Sequence, residues 1–155
     1  MRKIINNETE TYEYGFKLAG DLKPGTVVAL TGELGSGKTT LTKAIAEGLN
    51  IKETISSPTF NIIKEYESGN VPLYHFDVYR LNTAEDLFDL GYEEYFFGEG
   101  VSIVEWADKI AELIPKDAIW IKINFGINEE ERIYETDGIE PESLTVDDKT
   151  PGRSK

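Results

Sequence analysis

Cysteine is absent from this 155-residue chain, which excludes a disulfide framework, a thiolate metal site and a cysteine nucleophile. Positive charge is scarce: 16 Lys and Arg stand against 29 Asp and Glu, for a net charge of −13. Tracking a phosphate backbone needs a basic stripe, so tight direct binding of nucleic acid is not expected, and an acidic body suits a basic protein surface better. Arginine is confined to Arg2, Arg80, Arg132 and Arg153, too few for a nucleotide kinase that must grip a second set of phosphates. No apolar run approaches the ~20 residues that span a bilayer. Met1-Arg2-Lys3-Ile4-Ile5 passes at once into Asn and Glu, unlike a secretory leader, and the expected location is the cytoplasm. The single histidine, His75, stands without the strained nucleophile elbow of Ser-His-Asp chemistry and reads as a structural or pocket-edge side chain.

What is present centres on Gly32-Glu33-Leu34-Gly35-Ser36-Gly37-Lys38-Thr39-Thr40. It fits G-x-x-x-x-G-K-[ST], and its surroundings are those the pattern needs: an apolar strand over 26–31 before it and, after it, a helix with Leu41, Ala44, Ile45 and Leu49 on one face. Glycines at 32, 35 and 37 allow positive φ, so that successive amides can point into one concave nest. The helix opening at Lys38 adds unpaired N–H groups and its positive end. Lys38 is placed to reach β- and γ-phosphates, Thr39 to ligate a bridging Mg²⁺, and Thr40 to donate to the α-phosphate.

Around this unit the pattern predicts a strand at 2–5 and a helix from an Asn7/Glu10 capping box to about Leu22, with Thr11, Gly15, Leu18, Ala19 and Leu22 buried. An antiparallel hairpin is expected over about 60–79. Asn82 and Glu85 are expected to cap a short helix through Leu90, followed by an aromatic stretch at Tyr92, Tyr95, Phe96 and Phe97. A buried strand over 101–105, a short helix over 107–113 and a C-terminal strand pair complete the domain. In that pair Ile119, Ile121, Ile123 and Phe125 share a face. The fold class is therefore α/β, a three-layer phosphate-loop NTPase with a mixed sheet. The expected organisation is one domain over 1–137 and an acidic, disordered tail over 138–155.

Hydrolysis needs more than a phosphate loop: an acid for the metal and a group to orient water. Glu105 ends the better parallel strand and is assigned to the magnesium shell, and Asp77 to water or a second metal contact. Ser56-Ser57-Pro58-Thr59 is a hydroxyl-rich loop where γ-phosphate-sensing switches sit. With no Asn-Lys-x-Asp stretch to read guanine, adenine is the expected base.

The combination of the glycine loop with Ser57-Pro58-Thr59-Phe60, His75-Phe76-Asp77-Val78-Tyr79-Arg80-Leu81 and Val104-Glu105-Trp106 resembles the bacterial TsaE (YjeE) family over about 4–137. That resemblance implies a slow Mg²⁺-dependent ATPase required for tRNA threonylcarbamoyladenosine biosynthesis, working with a TsaB–TsaD heterodimer that modifies the adenosine beside the anticodon of ANN-decoding tRNAs. By resemblance, Thr39 and Glu105 are the magnesium ligands, Thr59 and Asp77 the switch and catalytic partners of Lys38. Glu33 to Thr40 cradle the phosphates, Trp106 flanks the nucleotide with Asp108 beyond it, and Glu8, Thr11 and Arg132 lie on the adenine side. Ala107-Asp108 follows Trp106 where the family often has proline, a departure in the local loop. The alternatives are a nucleotide-gated adaptor without chemistry and a small-molecule or nucleotide kinase.

Overall fold

Alternation along one central strand sets the layers. In β2 (Val27–Gly32), Val28 and Leu30 face one side and Val27 and Ala29 the other, because successive strand side chains point to opposite faces. Each pair joins a different apolar cluster. The computed structural model, which describes residues 1–58 and 61–137, is accordingly an α/β sandwich of three layers around a mixed seven-stranded sheet.

The strands lie in the order β1 (Arg2–Ile5), β7 (Arg132–Asp137), β6 (Ile119–Phe125), β2, β5 (Val101–Glu105), β4 (Leu73–Asp77) and β3 (Ile63–Tyr66). The central four, β6, β2, β5 and β4, run parallel, and helices or turns cover both of their faces, as parallel sheets require. The outer strands are antiparallel: β3 forms the expected hairpin with β4, while β7 pairs with both β6 and β1. Leu30, Leu41 and Ile103 have no exposed surface, and truncating any of them to Ala should cost about 2–5 kcal/mol.

One face carries α1 (Glu8–Ala19) and α2 (Lys38–Gly48). Small residues let these helices approach: a Cβ on Gly15 would lie 2.5 Å from that of Ala44, and one on Gly48 2.6 Å from that of Ala19. The opposite face carries 3₁₀ turns over Ala84–Leu90 and Ala107–Leu113, and the short helix α3 (Tyr92–Phe96).

Several local expectations shift for identifiable reasons. Asn7 Oδ1 accepts the Glu10 amide as a cap, but the Glu10 carboxylate accepts the Asn6 amide, so half the expected box forms. The α1 helix ends at Ala19, and Leu22 is buried beyond it. The cap expected from Asn82 and Glu85 moves one residue on, with the Asp86 carboxylate accepting from the amides of Asn82 and Thr83. The helix expected over 107–113 is a 3₁₀ turn broken at Ile110, where φ is −129° and ψ 34°. Phe125 shares the face of Ile119, Ile121 and Ile123 but ends its strand 48% exposed. The tail expected from 138 lies outside the described residues, among which no helix is long and apolar enough to cross a membrane.

Candidate functional site

The loop between β2 and α2 stands at the carboxyl edge of the parallel strands, where crevices open in such sheets. Gly32 has no room for a side chain: a Cβ there would lie 2.6 Å from both the Ile123 carbonyl oxygen and Ser36 Oγ. Gly37 takes φ 111° as the residue before α2, a conformation that bulkier residues avoid, and nothing lies within 4 Å of where its Cβ would be. The first-turn amides of α2, Lys38 to Thr40, have no intrahelical acceptor and lie at the positive end of the helix. Ser36 Oγ is buried without a hydrogen-bond partner among the described residues. Open glycine, unpaired amides and a lysine make a donor set that suits a polyphosphate.

Lys38 is nearly covered, and its Nζ donates to the carbonyls of Gly32 (2.7 Å) and Glu33 (3.0 Å). Its ammonium lies 4.0 Å from the centre of the Trp106 ring, a cation–π contact that gains strength away from water. Burial pushes the Lys38 pKa below its usual value, against the opposing fields of Glu105, Asp77 and Asp108. Trp106 adopts φ 65° and ψ 35°, a left-handed conformation costing a non-glycine residue roughly 1–3 kcal/mol. That turn at the end of β5 lays the indole between Lys38 and Tyr79, whose ring centroid is 4.7 Å away.

Two carboxylates end neighbouring strands at one level, because Asp77 of β4 pairs in register with Glu105 of β5. Glu105 is 2% exposed and its charge is met by hydrogen bonds. Thr39 Oγ1 donates to it at 3.0 Å to Oε1 and 3.2 Å to Oε2, and Thr42 Oγ1 lies 3.3 Å from Oε2. His75 Nε2 lies 2.7 Å from Oε2, and Ser57 Oγ is 3.1 Å from Thr39 Oγ1. Asp77 is half-buried and accepts the Tyr79 amide at 3.1 Å. Burial raises its pKa, with Glu105 adding repulsion, while the Tyr79 amide, His75 and Lys38 pull the other way.

Hard oxygen donors suit magnesium, which takes oxygens at about 2.0–2.1 Å in an octahedron, so that adjacent ligands are about 2.9 Å apart. The separation of 3.0 Å between Thr39 Oγ1 and Glu105 Oε1 fits such a pair. Among the described residues no group of three or more His, Cys, Asp or Glu side chains could hold a metal. One carboxylate and one hydroxyl, completed by phosphate and water, is a usual magnesium arrangement.

The glycine loop divides two hollows. On the carboxylate side, a cleft of about 280 Å³ is lined by Lys38, Thr39, Ser57, Asp77, Glu105 and Trp106, with Leu34 at its edge. On the other side, a cavity of about 200 Å³ is lined by Glu8, Thr11, Ser36, Glu129, Glu130 and Arg132. Gly35, Gly37 and Thr40 border both. Arg132 Nε donates to the Ser36 carbonyl at 2.8 Å, Nη1 donates to the carbonyls of Glu129 and Glu131, each at 2.9 Å, and the guanidinium lies 4.9 Å from the Phe125 ring centre. Tyr134 OH donates to Thr11 Oγ1 at 3.4 Å.

Most of the residues singled out in the sequence thus converge on these two hollows. Glu33 and Asp108 do not: they line a separate hollow of about 710 Å³ with Thr31, Lys122 and Asn124. Thr59 lies outside the described residues. Sequence reasoning missed the pairing of His75 and Thr42 with Glu105. The spacing of His75 from Asp77, two residues on the same strand face, was the available signal.

The model of a family described as threonylcarbamoyl adenosine biosynthesis protein TsaE matches residues 5–133. A Bacillus subtilis protein named tRNA threonylcarbamoyladenosine biosynthesis protein TsaE is 48% identical over 127 residues, 82% of this chain and 79% of that one. A Treponema pallidum protein of the same name is 40% identical over 123 residues, covering 79% and 90% of the two chains. The crystal structure of Bacillus subtilis YdiB superposes with a TM-score of 0.79 at 40% identity, covering 95% of this chain and 92% of the other.

Proposed function

The chain belongs to the TsaE family, and from that premise we propose that it is a Mg²⁺-dependent ATPase of tRNA threonylcarbamoyladenosine biosynthesis, turning over slowly alone and faster with a TsaB–TsaD pair. One observation carries the reading: Thr39 Oγ1 and Glu105 Oε1 stand 3.0 Å apart beside the glycine loop, the spacing of two adjacent magnesium ligands.

In this reading the amides from Gly35 to Thr40 and the Lys38 ammonium hold the phosphates and favour charge that moves onto them during transfer. Magnesium held by Thr39 and Glu105 would neutralise charge shared between the β- and γ-phosphates. Asp77, one strand away and with its pKa raised, accepts a hydrogen bond from the attacking water and orients it. Trp106 shields one side of Lys38 from solvent. Arg132 tethers the nucleoside-side wall to Ser36 of the loop, and Glu8 and Thr11 form the wall where adenine and ribose rest.

A partner role for the acidic body agrees with its surface. Between residues 81 and 108 there is no Lys or Arg, and Phe88 and Phe97 stand more than half exposed, which suits a basic protein face with apolar contacts. The domain over 1–137 carries this whole reading.

ADP release from purified chain with ATP tests it directly. Hydrolysis should be slow, abolished by EDTA and accelerated by TsaB–TsaD. Prolonged incubation without any ADP would leave a nucleotide-gated adaptor, and equal rates with and without the pair would remove the partner's role.

A further inference from the structure

His75 is the chain's single histidine, and it is fully buried on β4, behind the Glu105 carboxylate that lines the cleft. Its two ring nitrogens have opposite surroundings. Nε2 lies 2.7 Å from Glu105 Oε2, whereas Nδ1 is buried with no hydrogen-bond partner among the described residues. A proton on Nδ1 alone would set the Nε2 lone pair against a carboxylate at that distance and leave a buried N–H without an acceptor, both unfavourable. A proton on Nε2 turns the short contact into a charge-assisted hydrogen bond and leaves at Nδ1 only an unused acceptor, which buried sites tolerate more readily than an unused donor.

The two carboxylate oxygens are then unequal. Oε2 receives His75 and the longer arm of Thr39, with the Thr42 hydroxyl, which donates to the Lys38 carbonyl at 2.9 Å, standing 3.3 Å away. Among the described residues Oε1 receives Thr39 alone, and Ser57 Oγ lies 3.1 Å from that Thr39 hydroxyl. Resting on the magnesium reading above, we infer that His75 is a positioning residue: its Nε2–H occupies Oε2 and fixes the Glu105 carboxylate so that Oε1, beside Thr39 Oγ1, is the oxygen offered to a divalent cation. Hydrogen bonds of this kind to a metal-binding carboxylate change metal affinity by about 10–100-fold when removed. A merely space-filling imidazole would not, since an apolar side chain of similar size could fill the same volume without burying a polar ring.

Because there is one histidine, imidazole ¹⁵N NMR of the unmodified chain gives one spin system. A proton on Nε2, protected from exchange, is expected, and a ring whose Nε2 carries none overturns the assignment. His75→Gln keeps a donor of similar reach, and His75→Met keeps the bulk without it. Binding of Mn²⁺ to chain and ADP, read by electron paramagnetic resonance, should weaken about 10–100-fold in His75→Met and return close to the unmodified value in His75→Gln. ADP affinity in EDTA should be the same in all three. Equal Mn²⁺ binding in both variants overturns the role, whether both are weak or both normal. If His75→Met does not fold, the NMR result and the His75→Gln titration still decide. No Mn²⁺ uptake by the unmodified chain with ADP would overturn the magnesium reading together with this one, whereas uptake with a bare Nε2 would sink this inference alone.

Discussion

The two hollows that flank the glycine loop are built by different means. The carboxylate-side cleft is lined from the middle of the sheet, by Asp77 and Glu105 at the ends of adjacent parallel strands and by α2 packed above them. Around the buried Glu105 the polar side chains of Thr39, Ser57 and His75 are bonded to it or to one another, the situation in which a hydrogen-bond network is stiff and any missing member is costly. The Arg132-side cavity is assembled from the periphery, by the first turn of α1 and the connection between β6 and β7. One guanidinium ties that connection to the loop. On the proposed function, the contrast teaches that chemistry demanding sub-ångström placement would sit on the packed core, while recognition of a nucleoside would be left to elements at the periphery.

The bluntest way to break the comparison is to remove what the two sides share. Lys38→Ala should weaken nucleotide binding about 100-fold by isothermal titration, the scale of losing charged hydrogen bonds worth about 3 kcal/mol. It should do so whichever nucleoside is offered. Glu105→Gln separates the sides: metal-dependent ADP release should fall about 100-fold, with nucleotide affinity in EDTA preserved. Arg132→Ala is the converse, weakening nucleotide affinity about tenfold through loss of its bond to the Ser36 carbonyl while leaving turnover at saturation nearly intact. If Arg132→Ala lowers turnover as much as Glu105→Gln, the division of labour is wrong.

The smallest effect concerns Asp77 and pH. Its folded pKa lies above the unfolded value, so folding favours the protonated form. The stability it contributes is present at acid pH and lost as pH rises through the folded value. Asp77→Asn should therefore melt slightly higher than the unmodified chain at pH 8, with the gain shrinking as pH falls. ADP release by the unmodified chain should decline as pH drops through the same raised pKa, and Asp77→Asn should be slow throughout. A variant melting lower at pH 8 would contradict the strained carboxylate.

Legibility tracked sequence distance. The glycine loop, its strand and its helix are one continuous stretch, and all three loop glycines take the positive φ expected of them. The strands followed from alternation or unbroken apolar runs. Glu105 and Asp77 could be nominated as strand ends, but their lateral pairing depends on which strands lie side by side, and no local pattern states that. The same holds for His75 with Glu105, 30 residues apart, and for Arg132 with Ser36, 96 residues apart. Asn7 caps α1 as expected, whereas the second cap shifted by one residue, to Thr83 and Asp86, because several neighbouring Asn, Thr, Asp and Glu side chains could each accept the same amides. Glu33 and Asp108 line the hollow beyond the loop, while the Glu33 carbonyl still accepts from Lys38, because a residue on a sharp turn can present its backbone to one side and its side chain to another.

The pairing of β1 with β7 joins Arg2–Ile5 to the last described strand, and the Met1 amino group donates to the Thr136 carbonyl at 3.0 Å. On a ribosome, then, the glycine loop is translated before residue 41, but the hollow beside it, lined by Glu129, Glu130 and Arg132, cannot close until residues beyond 130 have left the exit tunnel and laid themselves along the opening strand. Even the loop's own strand, β2, is held between β5 and β6, and Gly32 packs against Ile123, so the hollows on both sides of the loop await the late strands.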